Sequence, residues 1–389
     1  MGLSVVALMR DRWFGDFMGR KHNLMRAFSR DTRVGTCVYV EPVLPVDESQ
    51  VTARPLWSER LAWGRCPIGF VREIESGRLY ALAPTEGFQY DLRCFRDVLS
   101  ELGVNDFILW AQSPLLADVA TQMEARALIY DCTDDYTTIH PHQAAELAAG
   151  DALLLDRADV VTTVSRRLYE QKSARRASHL HMLSCAADTA HFDPARHQEA
   201  PAELLPYLDR PIVGYMGKIN YKLDVELMGS VCRMLPQMTF VFVGPVMRDV
   251  GAWSSLPNVV FTGVKDYDRL PAYLRWIDVC IIPHELNSIT RYMNPIKVYE
   301  YLAMGKPVVS TPIEGLDDVR GQLLIAGDAR SFADAIIHAW GRRFDAEAAA
   351  ARREAIRDHT WEARVATIWK LLGCEPGGLP RLPARSSSR

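Results

Sequence analysis

The stretch VCIIPHELNSITRYMNPIKVYEYLAMGKPVVS, residues 279–310, decides the fold of this chain. It opens with a short apolar run, passes through a polar loop into a helical pattern over 295–304, and closes on a second apolar run. Pro295 suits the first turn of a helix, and Gly305 with Pro307 suits its end. A strand, a helix and a strand joined in this way predict a βαβ unit of a parallel sheet.

The same alternation of apolar runs and amphipathic stretches runs through most of the 389 residues, separately in each half. We therefore predict an α/β protein with two Rossmann-like domains, whose parallel sheets face an interdomain cleft that binds ligands. A segment rich in Pro, Ala and charge over 193–211 marks the boundary. The predicted parts are domains over 1–200 and 201–359, a terminal helix over 360–374 and a disordered tail over 375–389.

Individual strands can be predicted from the same pattern. Residues 45–84 show little periodicity, and no strand or helix is predicted there. The predicted strands are 4–8, 34–40, 106–110, 127–130, 160–164, 212–216, 239–243, 259–262, 279–282 and 307–310.

The composition of the chain argues against several classes of protein. The formal net charge is −3, which gives no support to nucleic-acid binding. The 8 cysteines lie singly without a CxxC pair, so the spacing favours reduced thiols over a zinc site or a disulfide framework. No signal peptide is visible, and no run approaches the roughly 20 apolar residues of a membrane span. We expect a cytoplasmic protein that reaches any membrane-bound substrate from the inner face of the membrane.

Lys297 and Glu300 are the strongest candidates for chemistry. They lie three residues apart, on one face of the predicted helix and close to its positive end. Free N–H groups at a helix start, together with a lysine, suit a diphosphate, and a carboxylate can accept both hydroxyls of a ribose. The alternative is an ordinary ion pair on a solvated face.

The same passage resembles the donor-binding signature of GT-B glycosyltransferases of the family 4 type (glycosyl transferases group 1). Its P-x-K-x-x-E-Y-L-A-x-G-K-P-V-V pattern is similar to the teichuronic-acid and surface-polysaccharide branch. The resemblance extends over most of residues 4–372. Supporting matches lie at 20–22, 38–42, 158–165, 213–218, 240–245 and 256–263.

This resemblance implies an enzyme that moves a sugar from a nucleotide-diphosphate sugar to a glycan or lipid-linked acceptor, with retention, in surface polysaccharide biosynthesis. It implies an acceptor-side N-terminal domain, a donor-binding C-terminal domain and a terminal helix that returns to the first domain. It also implies that no cofactor and no metal ion is needed, because lysines and a helix end meet the diphosphate charge. A peripheral contact with the membrane fits a lipid-linked acceptor.

The resemblance also suggests roles for particular residues. Lys218 and Lys297 would stabilise the leaving diphosphate, and Glu300 would bind the ribose. Tyr292 stands where the family has a further glutamate. The remaining donor-binding candidates are Gly217, Asn287, Thr290 and Asn294, with plain loop chemistry as the alternative for Asn287 and Thr290.

The N-terminal half offers a second group of candidates after an apolar strand. Asp131 and Asp134 could act as a base toward an acceptor hydroxyl, whereas Asp135 fits a helix N-cap. By resemblance, the basic run Arg20, Lys21 and His22 faces the acceptor or the diphosphate. The alternative for this run is an ordinary first helical turn.

Three rival functions use the same architecture. A nucleotide-sugar epimerase would need no acceptor. A dinucleotide-dependent oxidoreductase would need G-x-G-x-x-G after the first strand, where only Gly15 and Gly19 occur, at the wrong spacing. A non-catalytic nucleotide-sugar-binding partner would bind the donor without turnover.

Overall fold

The computed structural model describes residues 2–9, 12–13, 18–42, 54–56, 69–84, 92–175, 178–196 and 199–374. The chain divides into two compact units. The N-terminal unit comprises Met1–Leu183 with Glu362–Arg389, and the C-terminal unit comprises Ser184–Trp361. Each unit contains a mostly parallel sheet with helices, which confirms the predicted α/β class. The predicted disordered tail lies outside the described residues.

The N-terminal unit is built on a nine-stranded sheet in the order β3-β4-β5-β2-β1-β6-β7-β8-β9. All neighbours are parallel except the two pairs that β4 makes with β3 and β5. The strands are β1 (Leu3–Leu8), β2 (Val34–Val40), β3 (Arg54–Leu56), β4 (Gly69–Glu75), β5 (Leu79–Pro84), β6 (Phe107–Ala111), β7 (Ala127–Cys132), β8 (Val160–Thr163) and β9 (Leu180–Met182). The helices are α1 (Arg20–Arg30), α2 (Leu92–Glu101), α3 (Ala117–Gln122), α4 (Tyr136–Ile139), α5 (Ala144–Arg157) and α6 (Arg166–Ser173).

The hairpin of β4 and β5 lies within residues 45–84, for which no strand or helix was predicted. Its pairing register shifts between Glu73 and Glu75, and this irregularity interrupts the two-residue period of a regular strand. Gly77 forms the turn with a φ of 68°, a left-handed conformation that glycine adopts without steric cost.

The C-terminal unit has a six-stranded sheet in the order β12-β11-β10-β13-β14-β15, parallel throughout. The strands are β10 (Ile212–Met216), β11 (Thr239–Val243), β12 (Val259–Gly263), β13 (Val279–Ile282), β14 (Val308–Ser310) and β15 (Leu323–Ile325). The helices are α7 (Val225–Met234), α8 (Leu270–Trp276), α9 (Ile296–Ala303), α10 (Ala329–Gly341) and α11 (Ala346–Ala355), and α12 (Trp361–Leu371) follows.

The order of these six strands is that of a nucleotide-binding Rossmann fold. Strand order reverses between β10 and β13, and such sheets bind ligands at this switch point, beyond the carboxyl ends of the strands. Both strands are buried along their whole length, which explains why their sequences are unbroken apolar runs. Helix α9 ends as predicted, since Gly305 adopts a φ of 69° and the Lys306 N–H donates to the Tyr301 carbonyl.

The boundary between the units falls after Leu183, earlier than the predicted residue 200. The intervening segment packs within the C-terminal unit, which explains the difference. The His191 ring stacks on Tyr267 with centroids 4.4 Å apart, and Glu203 accepts a 2.6 Å hydrogen bond from Lys265. Proline and charge in this segment therefore mark a surface-following stretch rather than a linker.

Candidate functional site

Lys297, on the first turn of α9, reaches the end of β10. Its Nζ lies 2.9 Å from the Tyr215 hydroxyl and 4.2 Å from the centroid of that ring. The Tyr215 hydroxyl in turn donates to the Lys218 carbonyl at 3.2 Å. The structure thus brings Lys297 to the loop that carries Lys218, at the switch point of the sheet. Both lysines are half-buried.

The two glycines of the turn after β10 serve different purposes. Gly217 has a φ of 133°, and a Cβ at this position would lie 2.8 Å from the Nζ of Lys297. Gly214 lies within the strand, where a Cβ would come within 2.2 Å of the Ile277 side chain. Gly214 therefore permits close packing of the sheet, whereas Gly217 leaves room for the ammonium group.

Glu300 lies one turn further along α9 and is 6% exposed. Within the described part of the chain, no group donates a hydrogen bond to its carboxylate, and no N–O distance of 4.0 Å or less joins it to Lys297. The alternative of a solvated ion pair is therefore wrong. A buried carboxylate without a partner is costly in free energy, so this group is suited to a ligand that supplies hydroxyl donors.

Burial shifts the protonation equilibria of both groups toward neutrality. It raises the pKa of Glu300 to about 7, against the opposing effect of the Lys297 charge. It lowers the pKa of Lys297 to about 7, against the opposing effect of the Glu300 charge. Near neutral pH, a bound anion or hydroxyl group can therefore change the protonation of either residue.

The loop after β13 is held together by its own hydrogen bonds. The Asn287 Oδ1 accepts from the backbone N–H groups of Ile289 at 2.9 Å and Thr290 at 3.0 Å. Thr290 is fully buried, where its hydroxyl accepts from the Asn287 N–H at 3.1 Å and donates to the Glu285 carbonyl. The hydroxyl of Thr290 closes the loop in this structure, and its donor contact stays a prediction. The donor role of Asn287 stays a prediction.

Asn294 is engaged at both ends of its side-chain amide. Its Oδ1 accepts from the Cys185 N–H at 2.6 Å. Its Nδ2 donates to the Tyr299 hydroxyl at 2.9 Å and to the Gly315 carbonyl at 2.6 Å. With both ends engaged in a buried position, the side chain joins three segments of the C-terminal unit. Its donor contact stays a prediction.

In the N-terminal unit, Asp131 lies at the end of β7 and is fully buried. Its carboxylate accepts hydrogen bonds from the Arg20 Nε at 3.0 Å and Nη2 at 2.9 Å, and from the Thr162 hydroxyl at 2.7 Å. These hydrogen bonds connect Asp131 to α1 and β8, and its role as a catalytic base stays a prediction. Asp134 is half-buried and accepts from the Thr133 hydroxyl at 3.2 Å, so its role stays a prediction.

The basic run at the start of α1 separates in the structure. Arg20 is held by Asp131, and Lys21 is half-buried on the first turn. His22 is fully buried, with its Nδ1 accepting from the Gly19 N–H and its Nε2 3.2 Å from the Arg12 carbonyl. Both ring nitrogens of His22 thus have partners within the N-terminal unit, and its acceptor contact stays a prediction. Asp135 occupies the predicted N-cap position of α4, where its carboxylate accepts from the hydroxyls of Thr137 and Thr138 and not from a backbone N–H.

Two residues of the site were missed from the sequence, Tyr215 and His284. The His284 ring lies edge-on to Tyr215 with centroids 6.4 Å apart, just after β13. The signal for both was topological, since each lies at the end of one of the two strands that flank the switch point. Among the described residues, no cluster of three or more His, Cys, Asp or Glu is arranged to hold a metal ion. None of the described helices combines the length and apolar character needed to cross a bilayer.

Comparison with known proteins supports this account. Residues 210–341 match the family model described as glycosyl transferases group 1. TuaH of Bacillus subtilis (strain 168), named as a teichuronic acid biosynthesis glycosyltransferase, is 24% identical over 285 residues, covering 69% of this chain and 72% of its own.

Solved structures agree on the fold. Sucrose-phosphate synthase of Thermosynechococcus elongatus superposes with a TM-score of 0.70 at 16% identity, covering 95% of this chain and 98% of its own. Anabaena HepE (Alr3699), in complex with UDP and glucose, gives 0.66 at 14% identity, covering 95% and 99%. Residues 210–341, which contain the switch-point site, therefore match the glycosyl transferases group 1 family, and the chain as a whole has the GT-B fold of these structures.

Proposed function

We propose that this enzyme transfers a sugar from a nucleotide-diphosphate sugar to a glycan or lipid-linked acceptor, with retention of configuration, in surface polysaccharide biosynthesis. One observation carries the proposal. At the switch point of a Rossmann sheet, α9 presents a half-buried lysine and, one turn on, a buried carboxylate without a hydrogen-bond partner. A nucleoside diphosphate offers a matching anion and a pair of ribose hydroxyls.

The chemistry would rest on stabilising the leaving group. As the bond between the sugar and the diphosphate breaks, negative charge grows on the diphosphate, and the acceptor hydroxyl forms a new bond to the same carbon. Lys297 and Lys218 would meet that charge, and we propose that they do so without a metal ion or a cofactor. Fixed charges in a half-buried site act more strongly than they would in water.

Similar proteins support the choice of substrates. HepE was solved with UDP and glucose, and TuaH is named for teichuronic acid biosynthesis. Their names do not decide the nucleotide base or the sugar of this chain. An acceptor linked to a lipid would bring the enzyme to the inner face of the membrane, and this localisation is part of the proposal.

A screen of nucleotide sugars by thermal shift, followed by transfer assays, tests the function. A ligand that binds only the folded state raises the melting temperature, so the true donor should stand out. We expect Lys297→Ala and Glu300→Ala each to lower kcat/KM about 100-fold or more, since lost charged contacts of this kind cost about that factor.

The matched control is Glu314→Ala, which removes an exposed carboxylate of the same unit and should leave kcat/KM unchanged. Full activity of both site variants with intact donor affinity would exclude this site. Conversion of the donor to an isomer without an acceptor would favour the epimerase. Tight donor binding with no turnover by any acceptor would favour a non-catalytic partner.

A further inference from the structure

His284 directly follows the strand on one side of the switch point, and its backbone is fixed on both sides. The Thr311 hydroxyl donates to the His284 carbonyl at 2.7 Å. The Glu285 N–H donates to the Lys222 carbonyl at 2.8 Å, which ties this segment to the loop after β10. The imidazole is therefore held where the carboxyl ends of β10 and β13 meet.

The imidazole of His284 is buried and makes no hydrogen bond. The residue is 2% exposed, and neither Nδ1 nor Nε2 has a hydrogen-bond partner. The buried His22 differs, because both of its ring nitrogens are engaged. Leaving a buried polar group unsatisfied costs free energy, and native proteins rarely retain one without a reason.

The charged groups around His284 indicate which kind of ligand could accept a hydrogen bond from its ring. Burial, together with the charges of Lys297 and Lys222, holds the pKa of the imidazole well below the usual range. The unliganded ring is thus neutral and carries one N–H donor. A ring N–H donor whose protonation is affected by the charges of Lys297 and Lys222 suits the oxygen atoms of an anion, of which phosphate is the chemically suitable kind.

We infer that His284 is a binding residue for the donor, whose ring N–H donates a hydrogen bond to the diphosphate beside Lys297. This inference rests on the proposed function. The Lys297 ammonium lies on the Tyr215 ring, whose centroid is 6.4 Å from that of the His284 ring. Because His284 is 2% exposed, the contact requires a local shift of the groups around its ring and forms only when the ligand binds.

The test compares His284→Leu and His284→Asn with the wild type. Calorimetry gives the Kd values of UDP and GDP, ligand-observed NMR gives those of uridine and guanosine, and thermal unfolding reports stability. We expect His284→Leu to weaken the bound diphosphate about 10-fold to 100-fold, the range for a hydrogen bond to a charged group. Nucleoside affinity should stay unchanged, and the melting temperature without ligand should rise because the unsatisfied imidazole is gone.

His284→Asn retains an N–H donor and should recover part of the lost affinity, and it decides the matter should His284→Leu fail to fold. His191→Leu is the matched control: its Nε2 lies 3.0 Å from the Tyr267 carbonyl, so this change should lower stability and leave diphosphate affinity intact.

Equal diphosphate affinity in the wild type and His284→Leu would overturn the inference and leave the proposed function standing. A fall in stability together with equal losses for diphosphate and nucleoside would assign His284 a structural role and also overturn it. If neither UDP nor GDP bound the wild type while a nucleoside diphosphate of another base did, the comparison would be made with that nucleotide. Failure of every nucleoside diphosphate would remove the proposed function itself.

Discussion

Glu300, Lys297 and His284 are three ionisable groups that the fold buries or half-buries without fully satisfying them. Each one lowers the stability of the unliganded protein, because desolvation disfavours its charge or leaves its polar atoms unpaired. A ligand with an anion and two hydroxyls would relieve all three together. Ligand affinity and unliganded stability should therefore respond in opposite directions to substitutions at these residues.

The first prediction concerns Glu300→Gln and pH. The folded-state pKa of Glu300 is raised to about 7, so the folded protein holds this proton more tightly than the unfolded chain does. Stability is therefore lost as pH rises from the ordinary value of about 4.3 through 7, where the buried carboxylate ionises. Glu300→Gln removes that charge. Its melting temperature should exceed that of the wild type by several degrees at pH 8, and the two should agree at pH 5.

Thermal unfolding of both proteins across pH 5 to 8, without ligand, is the measurement. Glu314→Gln alters an exposed carboxylate of the same unit and should leave the difference near zero at every pH. A Glu300→Gln protein that melts lower than the wild type at pH 8 would show that the carboxylate has a stabilising partner, contrary to the arrangement described.

Single residues differed in how far the sequence could predict them. The spacing of Lys297 and Glu300 places both near the start of one helix, because this geometry is local. The hydrogen bonds of Asn294 were not predictable, because its partners Cys185 and Gly315 are remote in sequence and only the folded chain brings them near. The burial of His22 was not predictable for a similar reason, since a run of basic residues does not reveal which of them lies in the core.

Among the elements, the turn after β10 and the start of α9 form the site together. The Nζ of Lys297 occupies the space that a side chain at position 217 would need. The glycine and the lysine are thus a matched pair on two elements, and only the sheet order brings them into contact.

A second prediction follows for Gly217→Ala. The added methyl would meet the Lys297 ammonium and would also be strained by the φ of 133°. Displacement of the ammonium should weaken nucleoside diphosphate binding about 10-fold, as the loss of one charged hydrogen bond would. Calorimetry with UDP and GDP measures the effect.

Gly251→Ala is the control that separates the effect of backbone strain from that of displacing the Lys297 ammonium. Gly251 has a φ of 72°, and a Cβ there meets nothing within 4 Å. Gly251→Ala therefore has the same kind of backbone strain as Gly217→Ala but no steric contact with another residue. It should lose stability and keep its affinity. Unchanged affinity in Gly217→Ala would mean that Lys297 does not need its present position to bind the diphosphate.

The strands were predicted correctly where the apolar run in the sequence was long enough to identify. Strands β2, β10, β11 and β13 occur with the predicted bounds, and the remaining predicted strands agree within two residues. The short strands β9 and β15 were missed, since three residues cannot display a period. Sheet order, which creates the site, depends on pairings between distant segments and was not available from local pattern.

At the scale of the whole molecule, α12 returns to the first unit, since its residues from Glu362 onward belong to the N-terminal unit. Trp369 of α12 is 1% exposed, packs edge-on against Phe28 at 5.9 Å, and donates its indole N–H to Asp31 at 3.0 Å. Helix α12 therefore contributes to the core of the N-terminal unit, and the stability of that unit depends on residues far from Phe28 and Asp31 in sequence.

The third prediction is that Trp369→Ala destabilises the N-terminal unit selectively. Truncating a buried tryptophan typically costs about 3–5 kcal/mol, and this one also loses its hydrogen bond and the Arg33 guanidinium 4.8 Å from its ring. Hydrogen exchange followed by mass spectrometry should show faster exchange in α1 and β2, where Phe28 and its neighbours lose their packing.

Strands β10 and β13 should exchange at the wild-type rate in Trp369→Ala. The control is Trp340→Ala, which changes a half-buried residue of the C-terminal unit and should leave exchange in α1 unaffected. Uniform acceleration across both units in Trp369→Ala would show instead that the two unfold as one, because a local loss would then be shared by the whole chain.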